Sequence, residues 1–162
     1  MKSVVLVALV LASVSGSYAQ SALDTLRYSD LRWSLKKKAV VLNYMRFTEA
    51  EKSSFWPVFD SYNNATRYFE LESLMLLKKY SDGSGQFSNR ELEEMSQRIL
   101  HNDLQLAKLR KTFYKRFKEA VTPQQATAFF QIDTMFRSMM RLEAQRDFAS
   151  EQLADVNLYT RN

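Results

Sequence analysis

His101 is the only histidine of this chain, and the chain has no cysteine. A helical histidine can act as a general base or bind a metal when a carboxylate or a second imidazole lies one turn away. Gln97 and Gln105 occupy those positions, although Asp103 is near in sequence. No spacing of serines and carboxylates suggests a catalytic triad. We therefore expect no enzyme activity, no metal and no cofactor, with His101 facing solvent.

A strongly basic segment runs from Lys108 to Lys118, with six basic residues, no acidic one and several aromatics. On a helix it could contact a membrane surface or nucleic acid. It could also be a solvated face opposite a core stripe of Leu109, Phe113 and Phe117. A third interpretation is a surface that holds unfolded or acidic polypeptide. The export signal described below argues against nucleic acid.

Three methionines, Met135, Met139 and Met140, cluster around Phe136. Methionine fills gaps in cores, and it also adapts to many partners on exposed surfaces. Both interpretations of this cluster stay open.

A phrase that occurs twice predicts where helices begin. In each copy a threonine is followed three residues later by Glu or Gln: Thr48 with Glu51, and Thr122 with Gln125. This is the pattern of a capping box, in which the threonine hydroxyl accepts the N3 backbone N–H and the Glu or Gln side chain binds the threonine N–H. We expect these four residues to be structural.

The N-terminus has the features of a signal peptide: Lys2, an apolar stretch from Val4 to Val14, and small residues at Ser17 and Ala19. We predict that residues 1–19 are removed and that the mature chain is a soluble periplasmic protein. Residues 20–150 would form one helical domain, and residues 151–162 a frayed tail. Without cysteine, packing alone must stabilise the fold in an oxidising compartment.

The sequence predicts an all-α fold of four helices, because glycine and proline are scarce, at three and two, and the apolar residues recur with helical spacing. The helices run from about Leu23 to Met45, from Thr48 to about Tyr80, from a third box at Ser88 and Glu91, and from Thr122. The predicted apolar stripes are Leu31, Leu35, Leu42 and Met45; Phe55, Phe59, Tyr62 and Phe69; Leu92, Met95, Ile99, Leu106, Leu109, Phe113 and Phe117; and Phe129, Ile132, Phe136 and Met140. Pro57 predicts a kink or a short break in the second helix.

The second and third helices would each hold about 30 residues and be about 45 Å long. Such helices exceed the dimensions of a compact domain of this size. We therefore expect an elongated, kinked helical hairpin whose uncovered apolar faces favour a homodimer.

With its two boxes, its export signal and its helices, the chain resembles the periplasmic LTxxQ family of Spy- and CpxP-like proteins. The family phrase is Leu-Thr-x-x-Gln, and this chain has FTEAE at 47–51 and VTPQQ at 121–125. The resemblance covers roughly Ala39 to Phe148. The phrase Phe55-Trp56-Pro57 indicates a branch distinct from Spy itself.

The resemblance implies an antiparallel, cradle-shaped homodimer. In Spy-like members a basic and apolar concave face acts as an ATP-independent chaperone, and in CpxP-like members a similar surface restrains an envelope-stress sensor kinase. Metal-sensing relatives use His-rich positions that this chain lacks.

Two functions follow as expectations. The first is a periplasmic chaperone that binds unfolded or misfolded clients. The alternative is a CpxP-like regulator whose partner is a membrane stress sensor kinase or a sigma-factor pathway. The candidate client-binding residues are Arg67, Lys108, Lys111, Phe113, Lys115 and Met139.

Overall fold

The computed structural model describes residues 32–83 and 86–146. The predicted signal peptide, the start of the first helix and the C-terminal tail lie outside the described residues. The chain divides into two compact units, Met1–Lys36 and Lys37–Asn162. In the described part of the first unit, the Lys36 ammonium lies 5.0 Å from the centre of the Trp33 ring. The packing below is that of the second unit.

Within the described residues the secondary structure is helical, which confirms the all-α prediction. The helices are α1, described over residues 32–45; α2, Glu49–Asp82; α3, Asn89–Ala120; and α4, Pro123–Ala144.

Each of α2, α3 and α4 begins with a complete capping box, as predicted. In the first, the Thr48 N–H donates to a Glu51 carboxylate oxygen at 2.8 Å, and the Glu51 N–H donates to the Thr48 hydroxyl at 3.2 Å. The corresponding distances for Thr122 and Gln125 are 2.9 Å and 3.2 Å. These bonds satisfy N–H groups that have no partner inside a helix.

The helices α2 and α3 form an antiparallel hairpin. Arg116, near the end of α3, donates to Ser61 in the first half of α2. Arg98 and Asn102, in the first half of α3, instead donate to Glu72 near the end of α2. The hairpin prediction is thus consistent with the structure, while the cradle-shaped dimer stays a prediction.

The helix α4 turns back along α3 and therefore runs parallel to α2. The contacts between α2 and α4 follow the same order along both helices, from the start of each helix toward its end. The pairs in contact are Phe55 with Phe129, Tyr62 with Asp133, and Glu70 with Arg137. As a result, the two copies of the repeated phrase lie near each other. The pKa of Glu51 is lowered mainly by hydrogen bonds from the Thr48 backbone and side chain, and to a smaller extent by the Gln125 side chain.

An aromatic cluster forms the core where α2, α3 and α4 meet. The ring centres of Phe117 and Phe129 lie 4.4 Å apart, and Phe55 lies 5.2 Å from Phe117. Tyr62 lies 5.4 Å from Phe113 and 5.6 Å from Phe129. Aromatic pairs at these separations add about 0.5–1.5 kcal/mol each beyond the area that they bury, so this cluster holds the three helices together.

The predicted stripe of α1 is wrong. Leu35 is 61% exposed and Leu42 is 43% exposed, while Lys37, Val41 and Met45 are buried at successive four-residue intervals. Of the predicted stripe within the described residues, Met45 alone is buried. The reason is electrostatic: Lys37 donates to a buried carboxylate on α4, and this ion pair sets the rotation of α1.

The other stripes are largely confirmed. Of their residues, those fully in the core are Phe55, Phe59, Tyr62, Met95, Leu106, Phe113, Phe117, Phe129, Ile132 and Phe136. Those half-buried are Phe69, Leu92, Ile99, Leu109 and Met140.

Of the kink or break predicted at Pro57, the break is absent, because α2 continues from Glu49 to Asp82. Proline removes one backbone hydrogen bond from a helix interior. Here Phe55 and Phe59 flank it and are buried against the neighbouring helices. Tertiary packing on both sides therefore outweighs the local cost.

We predict that Thr48→Ala and Thr122→Ala each lower the free energy of unfolding by about 1 kcal/mol, because each removes the hydroxyl that caps a helix. Urea unfolding followed by circular dichroism measures this. Thr112, exposed inside α3, gives the matched control, and Thr112→Ala should cost nothing. Equal losses at all three positions would contradict the capping role.

The boxes also predict a pH dependence. Hydrogen bonds from the Thr48 and Ser88 backbones lower the pKa values of Glu51 and Glu91 from the usual 4.5. A carboxyl whose pKa is lower in the folded state gives stability that is present above its unfolded pKa and is lost as the pH falls through its folded pKa. Stability should therefore fall as the pH drops from about 5 to 3.

The natural protein is compared with the double variant Glu51→Gln/Glu91→Gln. In this variant all three capping boxes have, like that of Gln125, an amide in place of a carboxyl, so none of them titrates. Its urea midpoint should fall less between pH 5 and pH 3 than that of the natural protein. Identical slopes would show that the boxes do not contribute to the acid dependence.

Candidate functional site

The outward side of α3 carries two leucines followed by three lysines. Leu100, Leu104, Lys108, Lys111 and Lys115 are spaced by four, four, three and four residues, so they share one helix face. We call these five residues the lysine–leucine face. Leu100 is 68% exposed and Leu104 is 54% exposed, and all three lysines are exposed.

The lysines of this face form no ion pair within residues 32–83 and 86–146. Other basic residues of α3 do: Arg98 pairs with Glu72, and Arg110 pairs with Asp133. The face therefore presents positive charge that its own described surroundings do not neutralise. Such a surface attracts acidic or mixed acidic and apolar partners.

The other candidate client-binding residues lie elsewhere. Phe113 is only 5% exposed, and its ring packs on Tyr62 and beneath the Arg116 guanidinium. It is a core residue of α3 and is not accessible to a client while the helices are packed. Arg67 is exposed on α2, and Met139 is half-buried on α4. The structure thus groups the three candidate lysines on one face and places the remaining candidates on other surfaces.

The three clustered methionines differ in exposure, so neither core filling nor an adaptable surface describes all of them. Met135 is 45% exposed, whereas Met139 and Met140 are half-buried. Farther along α4, Leu142 is 67% exposed. This end of α4 therefore adds apolar surface to that of α3.

His101 faces solvent, as predicted, and its Nε2 lies 3.4 Å from the Gln105 side-chain nitrogen. It lines a shallow groove with Glu72, Glu94, Gln97, Arg98 and Asn102. Within the described ranges, no group of three His, Asp or Glu side chains is placed to hold a metal ion.

Asp133 is the centre of a buried polar cluster that joins all four helices. Its side chain is fully buried. It accepts hydrogen bonds from Lys37 at 3.0 Å, from the Tyr62 hydroxyl at 2.7 Å and from Arg110 at 2.7 Å. Two cations and a hydroxyl thus satisfy one carboxylate, which is the condition for burying a charge.

This cluster is not among the predicted sites, although the sequence contains one signal of it. Asp133 stands in an apolar stripe, between Phe129 four residues before it and Phe136 three residues after it. An acidic residue at a core position needs a cation or several donors. That requirement could have indicated buried basic partners, but nothing in the sequence singles out Lys37 and Arg110 from 23 basic residues.

The Tyr62 hydroxyl stays protonated in this cluster. Burial, with the Asp133 charge beside it, raises the pKa of Tyr62 far above its usual value. Arg110 also donates to the Thr134 hydroxyl at 2.7 Å and lies over the Phe130 ring. Two of the three donors to Asp133, Tyr62 on α2 and Arg110 on α3, therefore have further contacts that position them.

Ion pairs nearer the surface also join α2, α3 and α4. Glu70 pairs with Arg137 at 2.5 Å, and Asp103 pairs with Arg141. Hydrogen bonds from Arg98, and then from Asn102, lower the pKa of Glu72. The packed helices therefore form a firm base for the lysine–leucine face.

None of the helices in residues 32–83 and 86–146 is long and apolar enough to cross a membrane. Comparison with protein families, curated proteins and solved structures finds no match. The geometry of this chain is thus the basis for proposing what it does.

We predict that Asp133→Asn lowers the free energy of unfolding by about 3 kcal/mol, because it leaves the buried Lys37 and the half-buried Arg110 without a counter-charge. Tyr62→Phe should cost about 1.5–3 kcal/mol, the usual contribution of a hydrogen bond to a charged group. The double variant should cost less than the sum, since both changes remove the same contact. Urea unfolding of all four proteins measures the cycle. An additive result, or unchanged stability in Asp133→Asn, would contradict the central role of this carboxylate.

Proposed function

We propose that this protein is a periplasmic, ATP-independent chaperone that binds unfolded or misfolded polypeptide through the lysine–leucine face. The observation that carries the proposal is the combination of exposed Leu100 and Leu104 with three lysines that have no described acidic partner. Periplasmic location rests on the signal-peptide features of residues 1–19.

The chemistry of the face suits non-native chains. An unfolded chain exposes apolar side chains together with its charges, so leucines and lysines on one surface can contact both. Exposed ion pairs contribute only about 0–1 kcal/mol each. Binding is therefore weak and quickly reversible, which allows release without ATP.

The length of the lysine–leucine face also suits an extended client segment. The helix rises about 22 Å from Leu100 to Lys115 at 1.5 Å per residue. An extended client segment of about seven residues covers the same length. A second copy of the chain, as the proposed homodimer, would present two such faces and raise the apparent affinity without new contacts.

The test measures light scattering of a chemically denatured, acidic client diluted into buffer. The mature natural protein in stoichiometric excess should delay aggregation. Lys108→Ala/Lys111→Ala/Lys115→Ala and, separately, Leu100→Gln/Leu104→Gln should each lose most of this protection, because each removes one half of the face. If the natural protein gives no delay at all, the proposed function is wrong.

The matched control removes three positive charges elsewhere. Lys52, Lys78 and Arg90 hold surface ion pairs within their own helices. Their triple alanine variant has the same net charge as the lysine variant of the face. It should protect the client as the natural protein does. An equal loss in the control would mean that net charge, and not this face, is responsible.

A further inference from the structure

We propose that residues 37–45 of α1 form a detachable strap that covers an aromatic surface of α2. The strap places Lys37 over the rings of Phe59 and Tyr62, each 5.8 Å from its ammonium. Lys38 lies over the Trp56 ring at 4.8 Å. When the strap leaves, the Trp56 and Phe59 rings lose this cover, whereas Tyr62 stays packed against Phe113 and Phe129. The newly exposed rings form a second surface, which suits aromatic or aliphatic client segments.

The strap is lightly anchored by apolar contacts. Between residues 37 and 45, the buried apolar side chains are Val41 and Met45. The helix α2 buries Phe55, Phe59, Tyr62, Leu74 and Leu76. Because local opening is favoured where few apolar groups are buried, the strap can open while α2, α3 and α4 stay packed.

The buried ion pair positions the strap without holding it firmly. If Lys37 leaves, Asp133 still has the Tyr62 hydroxyl and the Arg110 guanidinium at 2.7 Å each. Lys37 regains the hydration that it loses when buried, and that loss offsets much of the attraction in a buried pair. Opening therefore leaves no uncompensated charge in the core.

A strained residue marks the hinge. Arg46 has φ of +45°, a value that is uncommon for residues other than glycine, and it lies between the strap and α2. On its far side, the Phe47 ring packs 4.6 Å from Phe55 and belongs with α2. Movement at Arg46 relieves the strain and lets the strap swing while Phe47 stays in place.

The inference that the strap opens depends only on these contacts. The further inference that the uncovered rings bind clients rests on the proposed function. The two surfaces would take different segments: the lysine–leucine face acidic ones, and the uncovered rings uncharged ones. A chaperone would then expose its most apolar surface only part of the time, which limits its own aggregation.

Native-state hydrogen exchange of the natural protein in low urea tests the opening without any client. We expect amides of residues 40–45 to exchange at least tenfold faster than the slowest amides of α3, with a weaker dependence on urea than global unfolding. If these amides exchange only with the urea dependence of global unfolding, there is no strap. This outcome is independent of whether the protein protects clients.

A pair of variants separates the strap from ordinary fraying of a helix end. Lys37→Glu places a second carboxylate beside Asp133, whereas Lys36→Glu makes the same change at the exposed neighbour. We expect Lys37→Glu to speed exchange in residues 40–45 at least tenfold, to leave the slowest α3 amides unchanged, and to increase binding of a dye specific for apolar surface. Lys36→Glu should do none of these. Equal effects of both variants, or acceleration of all helices in Lys37→Glu, would overturn the proposal.

Discussion

The fold depends on how one buried carboxylate is neutralised. Asp133 is inaccessible to water and is held by groups from three other helices, Lys37, Tyr62 and Arg110. The hydrophobic effect is not directional, so it constrains the rotation and sliding of helices less strictly than a buried charge with its donors does. The carboxylate binds Tyr62 and Arg110 at hydrogen-bond distance and so constrains the rotation and register of α2 and α3 against α4, while Lys37 orients α1 as long as the strap is closed.

The aromatic core and the outward lysines are consequences of that register. With Arg110 directed at Asp133, Phe113 and Phe117 turn toward Tyr62 and Phe129. The lysines at 108, 111 and 115 then point away from the core. The Arg110–Asp133 ion pair and the aromatic contacts thus agree on which side of α3 is core and which is surface. The packed helices thus support the lysine–leucine face, whose side chains are themselves exposed.

Sequence predicted the helix starts and most of the core well, because capping boxes and helical apolar spacing are local patterns. It failed where a long-range contact overrides a local pattern. Leu35 and Leu42 gave α1 a plausible apolar stripe, yet the pairing of Lys37 with a residue 96 positions away turned that helix. Phe113 lies among lysines in the sequence, which favours a role in client contact, but helical geometry places it on the opposite side of α3.

The parallel course of α2 and α4 has a consequence for the repeated phrase. It brings two helix N-termini, each with partial positive charge, close together, and Gln125 helps to stabilise the Glu51 carboxylate. A carboxylate and an amide are compatible neighbours, whereas two carboxylates would repel each other. The difference between Glu in the first copy and Gln in the second is therefore complementary. A glutamate at position 125 would bring a second carboxylate toward Glu51, so the amide suits the place where these two helix starts approach each other.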